Sequence, residues 1–248
     1  MELQAQEGRL IAAAGLGRVL VATAVSVERD AVAAGLGVPP GSDEAVLGAA
    51  GRSFDVIAVG VGPAFAAAST ASALTAAALR GTPYGLVVSA GIGGGFQPGA
   101  PLGSLVVADD IVAADLGAET EDGFLPVTEL GFGTVRHEPP ADLVRRAAES
   151  TGARTGAVLT VSTVTGTAVR AAALRERHPT ALAEAMEGFG VAVAAAAQGV
   201  PVLEIRAISN PVGPRDRAAW RIGDALAALT EGFGKLAPVL EGWNRHDS

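Results

Sequence analysis

Short apolar runs alternate with longer alanine-rich stretches along most of this chain. The apolar runs have the composition of buried strands, and the predicted strands are Val19–Val25, Asp55–Val61, Gly85–Ala90, Ser104–Val107, Gly156–Val161 and Val200–Ile208. The alanine-rich stretches predict the helices Glu28–Leu36, Ala64–Leu79, Pro140–Glu149, Thr167–Arg177, Ala181–Gln198 and Arg215–Leu240. This alternation is typical of a mainly parallel sheet with helices on both faces.

The pattern predicts one α/β domain over residues 18–248, preceded by an N-terminal extension over residues 1–17. A chain of 248 residues can form one such domain with a sizeable core. We expect a three-layer fold, in which helices flank a central mixed, mainly parallel sheet. The stretch Asp109–Pro139 is less periodic, and we interpret it as a surface excursion that forms a flap or a subunit contact.

The composition excludes disorder and argues against nucleic-acid binding. Hydrophobic residues make up 49% of the chain and charged residues 18%, which is too apolar for a disordered protein. The same balance is compatible with a subunit that buries further surface in a homodimer or a higher homo-oligomer. The formal net charge is −8. Nucleic-acid binding depends on basic patches that contact the phosphates, so we expect no nucleic-acid partner.

Neither a membrane span nor a metal centre is predicted. The uncharged stretch from Gly81 to Ala108 is interrupted by glycines and prolines, so it cannot form the continuous apolar helix of about 20 residues that a bilayer requires. Glu2 and Glu7 are atypical of a signal peptide. The chain has no cysteine, and its three histidines are isolated. We therefore predict a cytoplasmic protein that binds no metal and no cofactor.

Polar side chains interrupt the end of the last predicted strand, where Arg206, Ser209 and Asn210 precede Pro211. A guanidinium and an amide at the mouth of a buried sheet are costly to leave unpaired. Ligands of parallel sheets bind beyond the carboxyl ends of the strands. A ligand or another polar side chain is therefore expected to pair with these groups.

The glycine-rich segment Gly91–Gly95 follows another predicted strand. It lacks the sixth-position glycine of the dinucleotide fingerprint and the Gly-Lys-Ser/Thr of a phosphate-binding loop. Two interpretations stay open. The segment is either a loop where the backbone comes close to a ligand, as glycine permits, or a tight turn between strands.

Two carboxylates have both a functional and a structural interpretation. Glu28 follows the first strand, and local sequence favours a carboxylate that faces a helix N-terminus. The pair Met186-Glu187 lies within the long predicted helix, where Glu187 is either a ligand-binding residue or a solvated one. Trp220 in isolation is typical of a core or an interface, and Arg215–Arg217 of a solvated helix start.

The order and spacing of these residues carry a family resemblance. The segment A-M-E-G-F-G-V-A followed by the strand I-R-A-I-S-N resembles the nucleoside phosphorylase/nucleosidase superfamily, and most closely its futalosine hydrolases. The resemblance extends from about Arg18 to the C-terminus, apart from the variable middle. It implies a nucleoside phosphorylase-like fold and a small-molecule purine nucleoside as ligand.

The resemblance also implies roles for individual residues. Glu28 and Arg206 match the residues that hold the attacking water, and Met186 and Glu187 match the pair that binds the ribose. Trp220 matches an aromatic wall for the 5′ substituent. The remaining pocket positions are Gly91, Ile92, Val164 and Ser209.

Three departures from the nucleosidase pattern narrow the activity. Asn210 stands where adenine-specific members carry an acidic residue, and an amide can donate to the 6-oxo group or N7 of hypoxanthine or guanine. Ile92 replaces a serine, and Pro63 stands where a lysine is common. Both changes remove polar groups from the region where phosphorylases bind phosphate, which favours water as the nucleophile.

We therefore expect hydrolysis of the N-ribosidic bond of futalosine, with release of hypoxanthine and dehypoxanthinylfutalosine in menaquinone biosynthesis. A carboxylate in the substrate's 5′ tail would need an arginine, and the sequence does not choose among Arg136, Arg215 and Arg217. The alternatives are a 6-oxopurine nucleoside phosphorylase, a methylthioadenosine or aminofutalosine nucleosidase, and a nucleoside-binding protein without activity.

Overall fold

The structure is a computed structural model that describes residues 18–37, 46–47 and 53–243. Its strands are β1 (Arg18–Thr23), β2 (Val46–Leu47), β3 (Ser53–Ala58), β4 (Leu86–Gly95), β5 (Leu105–Ala113), β6 (Gly117–Thr120), β7 (Gly123–Pro126), β8 (Arg136–His137), β9 (Arg154–Thr160), β10 (Ala181–Ala185) and β11 (Val202–Pro211). Its helices are α1 (Ser26–Gly35), α2 (Pro63–Leu79), α3 (Ala141–Thr151), α4 (Ala168–Arg177), α5 (Gly188–Ala197) and α6 (Ile222–Gly242). The predicted N-terminal extension, residues 1–17, lies outside the described residues.

The main sheet is mixed and partly closed. Its order is β10-β9-β5-β11-β4-β1-β3-β2, with β8 paired to β5. Strand β4 is parallel to both β1 and β11, whereas the end of β10 pairs antiparallel with Gly94 and Gly95 of β4. This last pairing joins β4, β11, β5, β9 and β10 into a closed ring. The predicted α/β fold with helices around a mixed sheet is confirmed, and the closure is a feature that alternation alone does not predict.

Helices cover both faces of the sheet because its central strands are buried on both sides. In β1, Val19 and Val21 pack in one apolar cluster and Leu20 and Ala22 in another, as the two-residue period of a strand requires. The cluster of Val19 and Val21 includes residues of α1, α3 and α6. The opposite cluster includes residues of α2 and α5.

The predicted helix Ala181–Gln198 is wrong in its first part. Residues Ala181–Ala185 form β10, and the helix covers only Gly188–Ala197. Alanine has high helix propensity, but propensity is a weak preference that tertiary pairing overrides. Here β10 obtains its backbone hydrogen bonds from β9 on one side and β4 on the other. Met186 and Glu187 consequently lie at a strand-to-helix junction and not on a helix.

The predicted helix Arg215–Leu240 begins too early. Residues Arg217–Ala219 form a single 3-10 turn, in which the Asp216 side chain accepts a hydrogen bond from the Ala218 N–H at 3.1 Å. Helix α6 starts only at Ile222. Trp220 therefore lies in the connection before the helix.

Two further boundaries differ from the predictions. Gly91–Gly95 is neither a turn nor a loop, because it continues β4 and pairs with β11 along its length. Strand β5 extends to Ala113, so the predicted surface excursion Asp109–Pro139 is wrong for its first five residues. Ile111 in this strand is fully buried and pairs with β9. Beyond β5, every residue of the hairpin of β6 and β7 is exposed or half-buried.

Close packing of α2 against α5 depends on a glycine. A Cβ atom at Gly190 would lie 2.1 Å from the Pro63 carbonyl oxygen, so Gly190→Ala should lower the free energy of unfolding by roughly 1–3 kcal/mol. Gly223→Ala on α6 is the matched control, since nothing lies within 4 Å of its Cβ position. It should be neutral or slightly stabilising. Urea unfolding followed by circular dichroism measures both, and equal effects would contradict this account of the packing.

Candidate active site

A cavity of about 450 Å³ opens where β1, β4, β10 and β11 end. Of the site residues predicted from the sequence, the cavity is lined by Glu28, Ile92, Val164, Met186, Glu187, Ser209, Asn210 and Trp220. Gly91 and Arg206 lie directly behind this wall, because a Cβ at Gly91 would lie 2.7 Å from Glu28 Oε1 and 2.9 Å from Arg206 Nη1. The structure thus brings all ten residues to one place.

Glu28 accepts backbone hydrogen bonds at the start of α1 and also lines the cavity. It lies in the first turn of α1, where its Oε2 accepts hydrogen bonds from the backbone N–H of Ala24 at 2.9 Å and of Val25 at 3.3 Å. Its Oε1 accepts from the Ile92 N–H at 2.9 Å. Burial raises the pKa of Glu28, although the Ile92 hydrogen bond and the charge of Arg206 oppose this. A carboxylate with a raised pKa is suited to accept a proton near neutral pH.

Arg206 is 1% exposed and is held by three side chains. Its Nε donates to Glu204 Oε1 at 2.8 Å, its Nη1 to Glu187 Oε2 at 3.2 Å, and its Nη2 to Ser89 Oγ at 3.0 Å. Burial alone would lower the pKa of Arg206, but the negative charges of Glu204, Glu187 and Glu28 raise it further than burial lowers it. The guanidinium therefore stays positively charged.

Glu204 is a member of this cluster that the sequence reasoning missed. The signal was the spacing in E-I-R, because residues two apart on a strand share one face. The side chain is completely buried, which raises its pKa, and within residues 18–37, 46–47 and 53–243 its Oε2 has no hydrogen-bond partner. Gly188 makes room for it, since a Cβ there would lie 2.1 Å from this oxygen.

Glu187 connects three parts of the fold. It precedes the first residue of α5, and its Oε1 accepts a hydrogen bond from the Gly62 N–H at 3.2 Å while its Oε2 binds Arg206. Gly62 lies just before α2, so this carboxylate ties the start of that helix to the end of β10. The interpretation of Glu187 as a solvated residue on a helix is wrong, because it is 5% exposed.

The other end of the cavity contains the end of β11. Ser209 Oγ donates to Asn210 Oδ1 at 2.9 Å, and Asn210 Nδ2 donates to the Pro211 carbonyl oxygen at 3.0 Å. Opposite lies Glu184, which the sequence reasoning also missed because it fell inside a predicted helix. It accepts hydrogen bonds from the Thr165 N–H at 2.8 Å and the Thr165 hydroxyl at 2.5 Å, and burial raises its pKa.

Trp220 lines the cavity and has two cations beside its ring. The guanidinium carbons of Arg215 and Arg217 lie 5.2 Å and 5.6 Å from the centroid of its ring. Arg215 lines the cavity, whereas Arg136 is bound to Asp110 through a 2.8 Å ion pair. Of the three arginines considered from the sequence, Arg215 is therefore the one that lines the cavity, whereas Arg217 only lies beside the ring of Trp220.

None of the helices in the described residues has both the length and the hydrophobicity of a membrane span. The same residues contain no group of three histidine, aspartate or glutamate side chains that could hold a metal ion.

Comparison with known proteins identifies one family model and several curated relatives. The model described as "Phosphorylase superfamily" matches residues 18–238. The chain is 74% identical over 235 residues to the futalosine hydrolase of Streptomyces coelicolor, which covers 92% of this chain and 99% of that protein. It is 45% identical over 226 residues to the futalosine hydrolase of Acidothermus cellulolyticus, which covers 88% and 89% of the two chains.

Solved structures share the fold at lower sequence identity. The futalosine hydrolase of Helicobacter pylori superposes with a TM-score of 0.72 at 18% identity, covering 91% of this chain and 97% of that one. A 5′-methylthioadenosine/S-adenosylhomocysteine nucleosidase of Neisseria meningitidis, in complex with methylthio-immucillin-A, superposes with a TM-score of 0.73, also at 18% identity. It covers 92% of this chain and 100% of that one.

Arg206→Met should destabilise the fold strongly, by about 3–5 kcal/mol, because Glu204 would remain buried without a cation. A carboxyl whose pKa is higher in the folded chain binds more protons when folded, so stability decreases as the pH rises through that pKa. The pKa of Glu204 is already raised from 4.5, and loss of the guanidinium would raise it more. The loss of stability in Arg206→Met, relative to the wild type, should therefore be largest at neutral pH and become smaller as the pH falls toward 4.5.

Arg145→Met is the matched control, since Arg145 makes an exposed ion pair with Glu149 one helical turn away. Its effect should be close to zero at every pH. Denaturant unfolding across the pH range measures both variants. An Arg206→Met deficit that does not depend on pH would contradict the charge argument.

Proposed function

Because this chain belongs to the phosphorylase superfamily and, within it, to the futalosine hydrolases, we propose that its cavity hydrolyses the N-ribosidic bond of futalosine. The protein is a hydrolase acting on N-glycosyl bonds, and it releases hypoxanthine and leaves dehypoxanthinylfutalosine. The observation that carries the proposal is the buried cluster of Glu28, Arg206 and Glu187 beside one cavity, in a chain 74% identical to a futalosine hydrolase.

Glu28 is the general base in this proposal. A water molecule attacks C1′ of the ribose while the bond from C1′ to the purine nitrogen breaks and its electron pair passes to the base. The Glu28 carboxylate accepts the proton of the water. Three backbone N–H groups hold this carboxylate in place, so its position costs no rearrangement during the reaction.

The charge of the site suits an oxocarbenium-like transition state. Three buried carboxylates, Glu28, Glu187 and Glu204, surround the single guanidinium of Arg206. The surplus of negative charge stabilises positive charge that develops on the ribose. Glu187 is held by Arg206 and Gly62, and its remaining lone pairs can accept hydrogen bonds from the ribose hydroxyls.

The same charges disfavour phosphate as the nucleophile. A dianion placed beside these carboxylates would be repelled, and the cation there already binds Glu204, Glu187 and Ser89. The side chain of Ile92, which lines the cavity, offers no hydrogen bond that could take the place of a cation. Water fits the site better.

Asn210 and Trp220 contact opposite ends of the substrate in this proposal. The Asn210 amide donates a hydrogen bond to the purine and stabilises the negative charge that develops on it. Trp220 packs against the aromatic 5′ tail, and Arg215 pairs with the carboxylate of that tail. The ligand is thus a purine nucleoside with an acidic 5′ substituent.

A homodimer or a higher homo-oligomer is also part of the proposal. Val61, which lines the cavity, is 51% exposed, and Phe65 in α2 is 69% exposed. Exposed apolar side chains of this size are often covered by a partner subunit. Light scattering coupled to size-exclusion chromatography tests this. The cytoplasmic location stays a prediction from the sequence.

A substrate panel in phosphate-free buffer tests the proposed function. Futalosine, aminofutalosine, inosine and methylthioadenosine are incubated with the protein, and the released base is identified by chromatography. Hypoxanthine from futalosine should be the dominant product. Release of adenine alone would support an adenine nucleosidase instead, and binding without any base release would support a nucleoside-binding protein.

Glu28→Gln should lower kcat for futalosine by about 10²- to 10⁴-fold and largely preserve substrate affinity, because the amide cannot accept the proton of the water. In the wild type, kcat/KM should fall as the pH decreases through a value above 4.5, since burial raises the pKa of Glu28. Steady-state kinetics and calorimetric binding measure these effects. Asp30→Asn, on the same helix but half-exposed and paired with Arg29, is the control and should retain activity. Near-normal turnover of Glu28→Gln would refute the role of the base.

A further inference from the structure

Glu184 and Asn210 lie in one row across three neighbouring strands. Gly94 of β4 is the register partner of Glu184 on β10 and also of Asn210 on β11. Because neighbouring strands lie about 4.8 Å apart, the two flanking Cα atoms are separated by about 10 Å. The glycine between them has no side chain, so the row forms a flat floor with a carboxylate at one end and a carboxamide at the other.

Both side chains belong to the cavity wall, together with Gly94 itself. Asn210 Nδ2 lies 3.2 Å from the position that a Cβ at Gly94 would take, so any larger residue there would fill the gap beside the amide. A planar heterocycle fits between the two polar groups, with its edge atoms toward them.

The Glu184 end of the row presents hydrogen-bond acceptors. The backbone N–H of Thr165 lines the same wall, but it donates to Glu184 Oε1, and the Thr165 hydroxyl donates to Oε2. These two hydrogen bonds stabilise the ionised form of Glu184 and occupy the Thr165 donors. Each carboxylate oxygen retains a lone pair that can accept another hydrogen bond.

We propose that Glu184 is a specificity-determining residue that accepts the N1–H of a 6-oxopurine, while Asn210 donates to O6 or N7 across Gly94. The inference rests on the proposed function and extends its base recognition to a second residue. One N–H of the Asn210 amide is bound to Pro211, and the other can reach the base.

A 6-aminopurine does not match this row. Its N1 is an acceptor, and it would face the acceptor Glu184 without a donor, because the Thr165 N–H is already bound. A site built to hydrogen-bond one base discriminates strongly against an analogue that leaves its buried polar groups unpaired. Glu184 and Asn210 therefore select the same base from its two edges.

The test measures kcat/KM for futalosine and aminofutalosine in the wild type and in Glu184→Gln. The ratio of the two values should decrease by about 10- to 100-fold in the variant, because the charged acceptor is lost. Thr165→Val is the matched control, since it removes one hydrogen bond to Glu184 but preserves the carboxylate. It should lower both values together and leave the ratio within about threefold of the wild type. An unchanged ratio in Glu184→Gln would overturn the inference.

Product binding to the wild type gives a readout that needs neither turnover nor a variant. Calorimetry should show hypoxanthine binding about 10- to 100-fold more tightly than 1-methylhypoxanthine, which lacks the N1–H. Equal affinities would overturn the role of Glu184 even if Glu184→Gln failed to fold. Failure of the wild type to cleave futalosine would refute the proposed function and not this base selection, because hypoxanthine binding is measured separately.

Discussion

The buried ion cluster of Arg206 is the interaction on which the rest of this structure depends. One guanidinium, almost without solvent contact, binds Glu204, Glu187 and Ser89 and lies beside Glu28. A buried charge is tolerated only when it is paired and hydrogen-bonded. Removal of any one of these residues would therefore leave a buried charge without one of its partners. These residues come from β4, β11, α1 and the junction of β10 with α5, so the cluster joins four separate parts of the fold. The cavity is the space in front of this cluster.

Much of the candidate site could be predicted from the sequence because its residues interrupt apolar segments. Glu28 follows one buried strand, and Arg206, Ser209 and Asn210 end another, so the topology of a sheet places them at one edge. The core strands and the helices after them were predictable for the same reason, since apolar runs and alanine-rich stretches have different periods. What these signals cannot give is the partner of each polar group.

Long-range pairing determines the parts that the sequence did not predict. Ala181–Ala185 has a helical composition and becomes a strand only because β9 and β4 both offer free backbone groups. Glu184 lies in that segment, so the sequence did not indicate its position at the cavity. Glu204 was missed because its ion pair with Arg206 is visible only in the fold. The glycines of β4 follow the same logic, since Gly91 leaves space for Glu28 and Arg206, and Gly94 separates the two polar ends of the cavity. Each of these features requires a contact between distant segments, which local patterns do not encode.

We expect the carboxylate-rich cavity to use water, and not phosphate, to release a 6-oxopurine. The most direct measurement follows futalosine cleavage at increasing phosphate concentrations and identifies the ribosyl product by mass. If water is the nucleophile, the initial rate of hypoxanthine release is independent of phosphate and the product is the free sugar. A rate that rises from zero with phosphate, together with a 1-phosphorylated product, would contradict it.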